Sequence, residues 1–312
     1  MKSILIISVV IVALVSMKIL FGESPTLKEA GYLHVAHLGQ DDSTGLASIR
    51  QAFTESNPGY DLHFFTRTHQ VEGEDTQRLA FVQRGGGTAE FADGTFSKIS
   101  VGDIIHLPPQ QTIKTDSLID YLVFTVPDPL PEGFPSVIRP DWDENITDTP
   151  GGCATATGAY RRILLTWQKE AGPYVYHALN AHRVRITDSF THYHPVEGGF
   201  DEFYLVQMVQ PGGQLITSNQ THKIINPESV QPEEVEGLLQ STELQVGDLV
   251  YLPRGVIHRG LDGVLAQVIT VPGFIPGSEI GVDHHLRAIN ERFAQQSDLP
   301  LNQEASASAV VR

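Results

Sequence analysis

Apolar positions along the chain fall into short runs, not long helical stripes. Residues 79–83, 121–126, 203–207 and 267–271 are rich in Val, Ile, Leu, Phe and Tyr, and clusters of Gly, Pro, Asp and Asn separate such runs. This punctuation predicts an all-β sandwich or barrel. One segment reads differently. In residues 284–293, Leu286, Ile289 and Phe293 recur at helical spacing, which predicts a C-terminal helix packed on the β structure.

The runs also repeat. Gly102-Asp103-Ile104-Ile105-His106-Leu107-Pro108 is echoed 145 residues later by Gly247-Asp248-Leu249-Val250-Tyr251-Leu252-Pro253, and Val126-Pro127 by Val271-Pro272 at the same offset. A turn feeding a strand that ends at a proline, which cannot donate to the ladder, explains each element. Upstream, residues 79–83 match 203–207 at a smaller offset, so the second copy carries an insertion of about twenty residues. Its expected place is 219–241, around the acidic, helix-compatible Pro232-Glu233-Glu234-Val235-Glu236. The resulting division is a leader at 1–22, a first copy at 30–130, a Pro-rich linker at 131–155, a second copy at 156–295 and a disordered tail at 296–312.

Candidate chemistry concentrates in the second copy. Side chains two apart on a strand face the same way, so His192 and His194 would both point inward. Glu202 leads the strand-like run 203–207, and His258 closes the Gly247 element. Glu197 and Asp201 compete for the carboxylate position; Glu202 is preferred because the strand that follows should hold it. Three imidazoles and one carboxylate suit a single divalent transition metal, Fe, Mn, Cu, Ni or Zn, with coordination positions left for water or substrate.

These motifs resemble the cupin superfamily. His192-Tyr193-His194 with Glu202 is similar to its first motif, although the span from His194 to the carboxylate is longer than usual. Gly247 through Pro253-Arg254-Gly255-Val256-Ile257-His258 matches its second motif without a gap. The resemblance covers both copies and implies tandem double-stranded β-helix (jelly-roll) barrels, a bicupin. It also implies dioxygenases, decarboxylases, isomerases and lyases as the usual chemistries. In the first copy, Ile113 stands where His258 does, Gln110 replaces Gly255, Arg78 falls at the Glu202 position, and His69 is the histidine near the first motif. That barrel is expected to hold no metal and to serve as structure, as a dimerisation surface of a homodimer, or as a wall of the neighbouring pocket.

Other candidates carry weaker signals. Arg161, Arg162, Arg183 and Arg185 precede the metal motif, where one could grip a substrate carboxylate as a bidentate fork. Tyr174, Tyr176 and Trp167 could line the barrel or pack in a core. Glu197-Gly198-Gly199 suits a loop over the site, and His177 and the His284-His285 pair read as surface or helix-cap residues.

Composition narrows the partners. The 312 residues are 41% hydrophobic and 19% charged, enough for two cores. A net charge of −16, with no basic run, argues against a nucleic-acid partner. Lys2 followed by the apolar residues 4–15 matches an export signal, yet no clean cleavage site follows. Counted on to Phe21 the stretch could equally be a single-span membrane anchor, with Lys18 snorkelling. The folded part is expected outside the cytoplasmic membrane: secreted, periplasmic or anchored on its outer side. The lone Cys153 reads as a small buried residue. The expected function is an exported metal-dependent enzyme acting on a small organic substrate, dioxygenase-type oxidoreductase first. Isomerase, lyase or decarboxylase chemistry is the alternative, as is a non-catalytic module binding a sugar or organic acid. A storage role like that of seed cupins is a third and weaker reading.

Overall fold

The computed structural model describes residues 32–40, 42–149, 151, 160–294 and 296–305. The leader and Cys153 lie outside them. Among the described residues no helix is long and apolar enough to cross a membrane.

The chain begins with β1 (His34–His37), α1 (Ser43–Ser56), β2 (Asp61–Val71), β3 (Arg78–Arg84), β4 (Gly87–Glu90), β5 (Phe96–Ile99), β6 (Ile104–Leu107), β7 (Ile113–Thr125) and β8 (Val137–Ile138). It continues through β9 (Arg161–Leu165), β10 (Asn180–Asp188), β11 (His192–Tyr193), β12 (Asp201–Val209), β13 (Gln214–Ser218), α2 (Thr221–Ile224), β14 (Gln240–Glu243), β15 (Asp248–Leu252), β16 (Ile257–Val271), β17 (Ile280–Gly281) and α3 (Asp283–Arg292). One sheet runs β5-β4-β7-β3-β6-β8, with β2 on β7. The other runs β1-β15-β12-β16-β10-β9, with β11 and β13 also on β16, β14 on β13 and β17 on β11. The protein is thus mostly β, in two antiparallel sheets wrapped around separate interiors.

The repeat seen in sequence is a repeat of register. Arg78 pairs with Leu107 on β6 and Thr125 on β7; Glu202 pairs with Leu252 on β15 and Thr270 on β16. The shared Gly-Asp turn has a physical cause. Gly102 and Gly247 adopt φ of 98° and 97°, and a Cβ on Gly247 would stand 2.9 Å from the Leu38 carbonyl oxygen. The aspartate that follows accepts a backbone N–H three residues back, from Ser100 at 2.9 Å and from Gln245 at 2.8 Å.

Every residue from Asp201 to Gln207 is buried because both faces of β12 are covered. Tyr204 and Val206 turn inward with Val184, Ile186, Val250 and Leu252, while Ala80 and Val82 of β3 do the same in the first barrel. The opposite faces, Leu79 and Phe81 on one side and Phe203 and Leu205 on the other, share one core between the sheets. α1 wedges into that seam. Asp42 caps it by accepting from the Gly45 N–H at 2.8 Å, and Phe53 meets Phe203 and Phe124 edge-on at centroid distances of 5.0 and 5.8 Å. The β-like punctuation of the sequence does not predict this helix; its apolar side is just Ile49 and Phe53, one turn apart, with Leu46 at its margin.

Several boundaries move. β1, inside the expected first copy at 30–130, pairs with β15 of the second sheet, so that copy is not closed on itself. The expected linker at 131–155 contributes β8 to the first sheet and Ile146 to the shared core. The insertion forms α2, a 3-10 turn at Pro227–Ser229, a second at Pro232–Gly237 with a Gln231/Glu234 capping box, and β14. The expected C-terminal helix is present as α3, with Leu286 and Ile289 buried. The described part of the expected tail is packed, because Leu299 and Leu301 join Leu286 and Ile289 in one cluster.

Candidate metal centre

β11 lies on β16 with His192 directly opposite His258, and His194 follows two residues on, facing the same interior. One ring nitrogen from each of His192, His194 and His258 lies within 4.8 Å of the others, and all three residues are buried. Phe190 stacks on His192 at 4.4 Å and Phe200 packs on His194 at 3.9 Å, which holds both rings in place.

The hydrogen bonds fix the ring protons. Nδ1 of His192 lies 3.1 Å from the Phe190 carbonyl and Nδ1 of His258 lies 3.1 Å from the Val256 carbonyl. A carbonyl only accepts, so each Nδ1 carries a proton, and in the neutral form of the ring Nε2 then presents a lone pair. Burial, with His258 alongside, holds His192 well below the ordinary imidazole range. Burial, then His258 and His192, does the same to His194 against an opposing backbone hydrogen bond at Phe200. The Nε2 atoms of all three are buried without a hydrogen-bond partner, as is Oε1 of Glu202. That oxygen stands 3.4 Å from His258 Nε2, and Oε2 stands 4.0 Å from His194 Nε2. Acceptors that face one another in a dry interior repel unless a cation lies among them. The donor set of three neutral imidazoles and a carboxylate fits a divalent transition metal.

The competing carboxylates separate cleanly. Glu197 is exposed on the loop between the two ligand segments. Asp201 faces the seam: it accepts from Asn57 Nδ2 at 2.5 Å, Tyr251 OH at 2.9 Å and the Arg254 backbone N–H at 2.9 Å. Parity along β12 decides this, since Glu202 shares the inward face of Tyr204 and Val206. The extra length between His194 and Glu202 is a tight turn. Gly198 has φ of 76°, a Cβ on Gly199 would stand 2.3 Å from the Pro195 carbonyl oxygen, and the Gly255 N–H donates to the His194 carbonyl at 2.7 Å.

The first barrel has a different interior at the same places. Val71 pairs with Ile113 as His192 pairs with His258, and Arg78 occupies the position of Glu202. Arg78 is 2% exposed and donates to Glu74 Oε1 at 2.8 Å and to the Glu72 carbonyl. Gln110 keeps the left-handed backbone of Gly255, with φ of 63° against 88°. His69 is tied to the Thr115 carbonyl at 3.1 Å.

Of the four arginines, Arg161 pairs with inward-facing Val184. It donates to the Thr149 carbonyl at 3.1 Å and acts electrostatically on His182 and Glu279. Arg162 is paired with Asp148, Arg183 links Asp141 and Gln207 at the seam, and Arg185 is exposed. Tyr176 and Tyr174 belong to the shared core and do not line the barrel, while Trp167 packs on Phe274 at 4.2 Å, which in turn approaches Phe200 at 5.4 Å. His177 is exposed, and His284 and His285 stack at the start of α3.

Three inward residues are not legible in the sequence: His182, Thr270 and Glu279. His182 Nε2, Thr270 Oγ1 and Glu279 Oε2 are buried without hydrogen-bond partners. Glu279 Oε1 lies 3.9 Å from His192 Nε2, and burial, reinforced by Glu202, pushes its carboxyl up to about 8. No motif spacing points to Glu279; the one available signal is an acidic residue beside the apolar pair Ile280 and Val282.

No protein-family model matches the chain, and no curated protein matches it in sequence. Among solved structures it is similar to a point mutant of salicylate 1,2-dioxygenase from Pseudoaminobacter salicylatoxidans, with 11% identity over 94% of this chain and 97% of that one and a TM-score of 0.47. It is similar to a point mutant of Bacillus subtilis oxalate decarboxylase, with 12% identity over 92% and 86% and a TM-score of 0.46. Vicilin from Corylus avellana aligns at 11% identity over 80% of this chain and 83% of that one, with a TM-score of 0.43. This chain's own topology is two like-registered barrels with the candidate ligand set in the second.

Proposed function

We propose that this chain is a metal-dependent enzyme acting on a small, oxygen-bearing organic molecule inside the second barrel, with dioxygenase-type oxidation as the leading reaction. The observation that carries the reading is the set of three buried, unpartnered Nε2 lone pairs converging with Glu202. His192, His194, His258 and Glu202 would hold the ion. A bound divalent metal supplies Lewis acidity and, for Fe, Mn or Cu, access to redox chemistry.

The chain's other residues favour an enzyme over a closed structural site. His182, Thr270 and Arg161 bring an imidazole, a hydroxyl and a guanidinium to the same interior, which suits a polar substrate better than a purely structural ion would require. Arg161 is the candidate anchor for a substrate carboxylate, as the inward-facing member of the four arginines. The aromatic series Trp167, Phe274 and Phe200, ending on His194, excludes water from one flank. Export or membrane anchoring belongs to the same proposal and rests on the apolar leader.

Metal content by elemental mass spectrometry, with oxygen uptake measured on candidate hydroxy-aromatic and keto acids, tests this. One Fe, Mn or Cu per chain, lost in the His192→Ala, His258→Ala double variant, together with substrate-dependent oxygen uptake, is the expected result. Turnover with Zn and no oxygen uptake would replace oxidation by isomerase or lyase chemistry. No metal after reconstitution, or metal that survives the double substitution, would overturn the reading.

A further inference from the structure

We propose that Glu279 is a second carboxylate ligand of the metal, giving the centre three imidazoles and two carboxylates. The inference rests on the metal-centre reading above and deepens it. β17 places the residue: Gly281 pairs with His192 and Ile280 with Tyr193, so continuing the register brings Glu279 opposite His194. Alternation along the strand then sends its side chain to the same interior as the two histidines. It is 6% exposed, and Oε2 has no hydrogen-bond partner.

The distance between the facing atoms excludes an ordinary hydrogen bond. Because His192 spends its ring proton on the Phe190 carbonyl, Nε2 is an acceptor, and Glu279 Oε1 lies 3.9 Å away, beyond hydrogen-bond reach. Glu202 and His258 make the same kind of approach at 3.4 Å on the other side. The imidazole triad is therefore flanked by two acidic side chains, Glu202 by His194 and His258 and Glu279 by His192. Ionised together, the two carboxylates among neutral imidazoles carry a formal charge of two minus, which a divalent ion neutralises without further residues. Arg161 acts on Glu279 as one nearby charge, and it already donates to the Thr149 carbonyl.

The consequence is a more crowded centre, in which five protein groups compete for the ion and a chelating substrate must displace one. Glu279, at the end of the loop from 273 and just before the two-residue strand β17, is the ligand best placed to yield.

Full-length protein, stripped with chelator and titrated with Mn(II), provides the test, with free Mn(II) followed by its six-line electron paramagnetic resonance signal and Co(II) loading followed by visible absorption. Glu279→Gln is expected to bind about 10–100-fold more weakly. Its Co(II) spectrum should change in intensity as the coordination number falls, and its metal-free form should melt no lower than the metal-free wild type, because a buried acidic pair has been relieved. Glu279→Ala should behave alike, which guards against a specific effect of the amide. Unchanged affinity and an unchanged Co(II) spectrum in both variants would overturn the inference while leaving the metal centre intact. Failure of the wild type to take up Mn(II) or Co(II) would overturn both.

Discussion

Asp201 and Glu202 are neighbours in sequence with opposite duties, and exchanging their chemistry should separate fold from site. Asp201→Ala removes the acceptor shared by Asn57 Nδ2, Tyr251 OH and the Arg254 N–H, and it breaks the approach of Arg254 Nε at 3.4 Å. Each buried donor left unsatisfied costs about 1–3 kcal/mol, and breaking a buried ion pair costs about 3–5 kcal/mol. The Arg254 side chain is 22% exposed and can turn to water, so the ion-pair cost drops out and the low end of the range for the three donors applies, about 3–5 kcal/mol in all. Urea denaturation of the metal-free protein measures this. Asp201→Asn keeps an oxygen for two of the donors and should lose about half as much. Metal affinity gives the complementary result: Asp201→Asn should still load one ion per chain, whereas Glu202→Gln, with near wild-type stability, should bind far more weakly. A folded Asp201→Asn that has lost its metal, beside a Glu202→Gln that keeps it, would refute the assignment of the two carboxylates.

Three further outcomes are expected. Burial raises the Asp103 carboxyl to about 6, so its protonated form favours the folded state; that stability is full below about pH 4 and is lost as the pH rises through about 6, by about 3 kcal/mol. Asp103→Asn should flatten this part of the pH dependence in urea melts at pH 4.5 and 7.5, and an unchanged slope would refute the cause. Arg78→Met replaces a buried cation whose partner Glu74 is half-exposed and can be solvated alone; the expected change in unfolding free energy is within about 1 kcal/mol, with metal content still one ion per chain. Saturating metal at about 100 times its dissociation constant should stabilise the fold by about 2.7 kcal/mol, measured as the shift in melting temperature on adding and chelating the ion, and a shift of equal size in the His192→Ala, His258→Ala variant would contradict the site.

How much of this could be read beforehand follows the range of the forces involved. The two-residue alternation of strands, the Gly-Asp turn and the stop at proline are local, and they locate β6, β7, β15 and β16 and their repeat. The candidate ligands His192, His194 and His258 are legible because short-range geometry, i and i+2 on a strand and a turn ending at Gly255, brings them inward. Arg78 and Ile113 are legible as a failed copy of the same site because register conserves their places.

What the sequence determined by itself is therefore the β class, the duplication and the set of metal-binding candidates, since each depends on neighbours along the chain. Tertiary structure alone decided the rest. β1 crosses to the second sheet and α1 fills the seam because the outward faces of both barrels are apolar and must be covered, and that need is invisible in any one segment. Asp201 is assigned to the seam and Glu202 to the interior by the parity of β12 against β15 and β16. Glu279 reaches His192 from 87 residues downstream through the pairing of β17 with β11, a contact between strands that no local spacing encodes.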